Sequence, residues 1–194
     1  MILDGVDGCG KTTQAGLLAE RLGALHLREP GSTAVGERLR ELLLDPEVKM
    51  GAACETLLFT AARRQMLEEL VEPALATGRD VVCERFHSST FAYQAVAGEL
   101  GEQCVLELLE TWAGEPAPVR VVLLELSVEQ AEARRQQRGA SDRIEARGLE
   151  YQRRVAAGYQ RYAELKPHAR MVPAGGSPEE VAQSVWSALD HGDF

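Results

Sequence analysis

The sequence lacks cysteines at metal-ligand spacing, long apolar runs and any excess of basic residues. Cys9, Cys54, Cys83 and Cys104 sit far apart and form no CxxC pair, which argues against a zinc site or a disulfide framework. Reduced thiols in a cytoplasmic protein are expected. No apolar run approaches the roughly 20 residues that span a bilayer, and no charged leader precedes an apolar stretch, so neither membrane association nor export is expected. Lys and Arg number 21 against 30 Asp and Glu, a formal net charge of -9, which opposes loose binding to nucleic acid or anionic membrane. An anionic ligand must therefore meet a local basic site. Repeats, low-complexity tracts and linkers are absent too. What is present is 194 residues, 45% apolar and 26% charged, a composition suited to one domain over 1–194.

Short β-type runs at Met1 to Asp4, Ala24 to Leu27, Asp80 to Cys83, Val119 to Leu126 and Ala169 to Val172 are separated by helical stretches. That alternation predicts an α/β fold, a five-stranded parallel sheet with helices on both faces. Lys11 to Leu22 reads as a helix ended by Gly23. Cys54 to Ala76 carries apolar residues at helical spacing, with Pro73 expected to kink or break its last turn. Ser177-Pro178-Glu179-Glu180 supplies an N-cap, a first-turn proline and two acids for a final helix.

Gly5-Val6-Asp7-Gly8-Cys9-Gly10-Lys11-Thr12 fits the phosphate-loop pattern G-x-x-x-x-G-K-[ST] between a strand and a helix. The glycines let backbone N–H groups turn inward around phosphate oxygens at the positive end of the following helix. Lys11 pairs with the β- and γ-phosphates of ATP, the Thr12 hydroxyl helps hold Mg²⁺, and Thr13 completes the nucleotide-contacting run.

Beyond the loop, Arg28-Glu29-Pro30-Gly31, Leu57-Leu58-Phe59 with Ala62-Arg63, Glu84-Arg85-Phe86, Ala92-Tyr93-Gln94 and Asp142-Arg143-Ile144-Glu145 follow in order. In that order the chain resembles the bacterial thymidylate kinases. The resemblance implies a P-loop nucleoside monophosphate kinase that moves the γ-phosphoryl group of ATP to dTMP, with ATP and dTMP as partners and a homodimer joined through helices. It assigns Asp7 to the 3′-hydroxyl side of the acceptor sugar, Phe59 to stacking on thymine, Arg63 to a base carbonyl, and Arg85, with Arg28 nearby, to the acceptor phosphate. Ser89, Thr90, Tyr93 and Gln94 match the segment along the base edge. On the residues alone, Asp7 also reads as a turn residue, Phe59 as core, Arg63 as a solvated charge, and Thr90 and Gln94 as helix surface.

Arg134, Arg135, Arg138, Arg143 and Arg147 surround Gly139-Ala140-Ser141 and read as a basic lid over about 134–148. The alternative is a solvated face. Because Gly8 stands where one subclass of the family places a catalytic arginine, Arg138 and Arg143 are expected to supply that charge. Glu84 is expected beside the acceptor phosphate and Mg²⁺, although the family usually has Asp there; Asp4 likewise replaces the usual Glu, and Glu125 the usual Asp. Two rivals stay open: a deoxynucleoside kinase, which also uses Glu-Arg after a strand, and a non-catalytic P-loop binding module. Cys9, near a helix N-terminus, is a candidate reactive thiol, Cys104 its competitor, and Cys54 and Cys83 are expected to be shielded.

Overall fold

The structure is a computed structural model describing residues 1–139 and 142–190; the side chains of Arg138 and Asp190 lie outside what it describes. Five strands, β1 (Ile2–Gly5), β2 (Leu25–Arg28), β3 (Val81–Glu84), β4 (Val121–Glu125) and β5 (Ala169–Pro173), form one parallel sheet in the order β2-β3-β1-β4-β5. Leu3, Val82 and Val121 to Leu123 are completely buried, which is why the strands read as continuous apolar runs rather than alternating ones. Register decides the function. Leu3 stands opposite Glu84, Arg28 opposite Glu84, and Asp4 opposite Leu123, so the carboxyl ends of β1, β2 and β3 deliver charged side chains to one edge. Open parallel sheets bind ligands at that edge, where the strand order reverses.

Helix α1 (Lys11–Leu22) ends at Gly23 in the left-handed conformation, as its sequence predicts. Together with α9 (Pro178–Asp190) it packs on one face of the sheet. Ser177 and Glu180 cap α9 reciprocally, each accepting the other's backbone N–H. The stretch expected as one long helix is α3 (Ala52–Met66), a π-helical turn at Leu67–Val71 and α4 (Glu72–Ala76). Pro73 has no N–H to give the carbonyl four residues back, and the ladder takes the wider π spacing just before it. The remaining helices are α2 (Ala34–Leu44), capped by Thr33, α5 (His87–Thr90), α6 (Glu102–Ala113), α7 (Val128–Arg138) and α8 (Leu149–Leu165).

Helix α8 packs closely along a π-helical segment, Phe91–Val96. Gly158 permits it: a Cβ there would lie 2.7 Å from the Ala92 Cα and 3.1 Å from its Cβ. That approach presses the Tyr93-bearing segment toward the sheet edge. A side chain at 158 would gain up to about 1 kcal/mol of helix propensity over glycine, so any loss measures the contact. Gly158→Val is expected to lower the unfolding free energy by about 2–3 kcal/mol in a urea titration; an unchanged midpoint would show that the two helices are not held by this contact.

Candidate active site

Asp4, at the end of β1, has no exposed surface. Its carboxylate accepts hydrogen bonds from Ser88 Oγ at 2.6 Å, Tyr159 Oη at 2.7 Å, Ser89 Oγ at 2.8 Å and the Gly5 N–H at 2.9 Å. The Phe86 N–H approaches it at 3.4 Å. The carboxylate thus ties the phosphate loop to the turn after β3. Arg85 in that turn has a φ of 67°, a left-handed conformation that costs a non-glycine residue about 1–2 kcal/mol. Its guanidinium pairs with Asp7 and donates to Ser89 Oγ at 3.0 Å. Tyr93 Oη donates to the other Asp7 oxygen at 2.7 Å. Burial pushes the Asp7 carboxyl up, but Arg85 and then Lys11 outweigh it and hold it well below the usual carboxylate range.

These groups wall a cavity of about 550 Å³. Asp7, Gly8, Gly10, Lys11, Thr12 and Thr13 form its floor on the loop side. Arg28, Phe59, Arg63, Glu84, Arg85, Ser89, Thr90, Tyr93 and Gln94 line the other side, so the β3 turn, α3 and the Phe91–Val96 segment converge on one cavity. Gly5 and Val6 lie beneath, their carbonyls accepting from Lys11 Nζ at 2.9 Å each. Gly8 has a φ of 94°, and a Cβ on it would lie 2.5 Å from the Ala131 carbonyl oxygen of α7. Steric contact therefore explains why no arginine stands there.

Arg63 is nearly fully buried, and its guanidinium grips Glu29 through Nε and Nη2 at 2.6–3.0 Å. Nη2 also donates to the Phe86 carbonyl and to Thr90 Oγ1. Among the described residues, the buried Nη1 has no acceptor. Thr12 Oγ1 donates to Glu84 Oε2 at 2.7 Å, and His26 Nε2 lies 2.8 Å from Glu84 Oε1. This pairing of hydroxyl and carboxylate beside the loop is a hard-oxygen donor set suited to Mg²⁺. Among the described residues, no group of three His, Cys, Asp or Glu could hold a metal by itself.

The lid divides. Arg134 and Arg135 of α7 line the cavity, Arg135 donating to the Asp7 carbonyl at 2.6 Å. Arg143 is not on the lining, contrary to expectation: its Nε donates to the Leu43 carbonyl at 2.9 Å and its Nη2 lies 2.9 Å from Glu55. The completely buried Glu55 carboxylate, which also takes Arg147, draws both arginines toward α3. The Arg138 side chain and Ala140-Ser141, expected in the lid, lie outside the described residues.

Three contributors were not singled out by the sequence reading. Arg40 of α2 lines the cavity, and burial and then the Arg28 charge lower its pKa; a further arginine in this crowd asks for an anion. Tyr159, far along the chain, completes the Asp4 cage. Glu55 had a signal: with Phe59 and Arg63 it recurs every four residues on one face of α3.

A family model described as thymidylate kinase matches residues 3–185. The thymidylate kinase of Synechococcus sp. (strain JA-3-3Ab) is 40% identical over 195 residues, covering 96% of this chain and 93% of that protein. The thymidylate kinase of Neisseria gonorrhoeae (strain NCCP11945) is also 40% identical, over 97% of this chain and 94% of its own. Among solved structures, the crystal structure of thymidylate kinase from Ehrlichia chaffeensis is 25% identical with a TM-score of 0.77 over 97% of each chain. The α/β fold expected from the sequence, a P-loop NTPase sheet of five parallel strands, is the fold observed.

The thiols depart from expectation. Cys9 is 2% exposed and burial raises its pKa, with Lys11 too weak to offset this; the loop folds its side chain inward. Cys83 is buried as expected, whereas Cys54 stands on the exposed face of α3; the expected competitor, Cys104, is exposed too. Brief alkylation followed by peptide mapping is expected to label Cys54 and Cys104 well before Cys9 and Cys83. Labelling of Cys9 first would contradict the burial of the loop thiol.

Proposed function

The chain belongs to the thymidylate kinase family, and from that premise we propose how its residues transfer the γ-phosphoryl group of ATP to dTMP, giving dTDP and ADP in nucleotide biosynthesis. The observation that carries the reading is the Asp7–Arg85–Tyr93 cluster, which joins the phosphate loop to the acceptor wall across one cavity. ATP phosphates lie on the loop N–H groups, where Lys11 leaves the Gly5 and Val6 carbonyls to meet the β- and γ-oxygens. Arg85 and Arg40 grip the dTMP phosphate, with Arg28 at the rim; guanidinium forks suit that oxyanion. Tyr93 and Asp7 bound the sugar, Phe59 stacks on the base, and Arg63 and the Ser89 to Gln94 segment line its edge.

Transfer is an in-line displacement with charge spread over equatorial oxygens, so these residues act by position and electrostatics. Arg134 and Arg135 bring lid charge to the cavity, and Arg138 joins them on the family resemblance. Arg143 reaches the phosphates only by leaving Glu55. Thr12 and Glu84 are the residues that would hold Mg²⁺. When bound, the ion shields the phosphate charge.

We read residues 1–194 as one domain that works as a homodimer in the cytoplasm. Support for the dimer comes from α3 and α6, which pack side by side and carry Leu57 and Trp112, exposed at 58% and 66%. Among the described residues no helix is long and apolar enough to cross a membrane. The test is ADP release with dTMP, thymidine, dUMP, dCMP and dGMP supplied separately with Mg-ATP. Turnover is expected to be highest with dTMP. Turnover of thymidine but not dTMP would replace the reading with a deoxynucleoside kinase, and ADP release with none of them with a binding module.

A further inference from the structure

Glu55 lies outside the cavity lining, yet it is completely buried and three groups converge on it. Arg143 and Arg147 reach it from the lid. Gln94 Nε2 donates to its Oε1 at 3.1 Å. A carboxylate paired with two guanidiniums only accepts hydrogen bonds, so the Gln94 amide can present only its NH₂ to it. The Gln94 carbonyl is thereby fixed as the free end of the amide, and among the described residues nothing donates to it. Gln94 lines the cavity. The cavity wall therefore offers a fixed acceptor at Gln94.

We infer that Glu55 is a positioning residue for base selection: it fixes the Gln94 amide so that its carbonyl accepts a ring N–H. The N3–H of thymine or uracil satisfies that carbonyl. Cytosine sets a ring nitrogen against it, acceptor facing acceptor, leaving a buried group unpaired. Sites built on such hydrogen bonds discriminate far more strongly than apolar pockets do. If residue 55 could donate as well as accept, the Gln94 amide could turn over and present its NH₂ to the ring nitrogen of cytosine. The inference rests on the acceptor reading above and adds the residue that enforces it.

The test is the ratio of kcat/KM for dTMP to that for dCMP in wild type, Glu55→Gln, Gln94→Leu and the double variant. Glu55→Asp, which keeps a charge for the lid arginines while withdrawing from Gln94, is included in case Glu55→Gln does not fold. Wild type is expected to favour dTMP strongly, and each Glu55 variant to lower the ratio at least about tenfold. Because Glu55 acts through Gln94, the double variant should discriminate no worse than Gln94→Leu alone. A variant that loses turnover equally with both acceptors and keeps the ratio would overturn the inference, leaving Glu55 a tether for the lid. Wild type with no preference for dTMP would instead overturn the acceptor reading itself, and the inference with it.

Discussion

A carboxylate with no access to water must be compensated by donors, and Asp4 has them on every side. Removing an ion from water costs several kcal/mol even after the protein relaxes. The cost is offset only while Ser88, Ser89, Tyr159 and the Gly5 N–H all point inward. Those donors come from the phosphate loop, helix α5 just after the β3 turn, and helix α8. The same charge that must be satisfied therefore sets the distance between the nucleotide floor and the acceptor wall. Arg85 keeps its left-handed backbone because the Phe86 N–H next to it is drawn to Asp4.

Around that centre, carboxylates position arginines throughout. Asp7 holds Arg85, Glu29 holds Arg63, and Glu55 holds Arg143 and Arg147. A chain with a net charge of -9 can in this way keep arginines at and around one cavity, since acids beside it hold their guanidiniums in place. Arg63 is the clearest case: Glu29 takes both Nε and Nη2.

Local chemistry made much of this legible beforehand. Five apolar runs are the five strands, and Gly23 ends α1 as a left-handed residue. The phosphate loop and the residues of α3 and the β3 turn meet at one cavity because their spacing already fixed each to a strand end or helix face. What escaped the sequence depends on tertiary packing. Cys54 is exposed because α3 turns it outward, away from the Glu55 and Arg63 face, and the helical pattern does not say which flank a neighbouring helix will cover. Arg143 was read by its charge and the lid by its composition. Neither reveals that a buried glutamate on another helix captures it. Tyr159 joins Asp4 from 155 positions away, a contact that only the assembled sheet creates.

The claim that the Asp4 cage sets the geometry of transfer is tested most directly by kcat/KM for dTMP in Asp4→Asn, measured well below the variant's melting temperature. An amide keeps the size of the side chain but removes the charge and turns a donor toward backbone N–H groups that can only donate. A loss of at least about a hundredfold is predicted, of the order of 3 kcal/mol in transition-state stabilisation. Turnover within twofold of wild type by a folded Asp4→Asn protein would contradict the account.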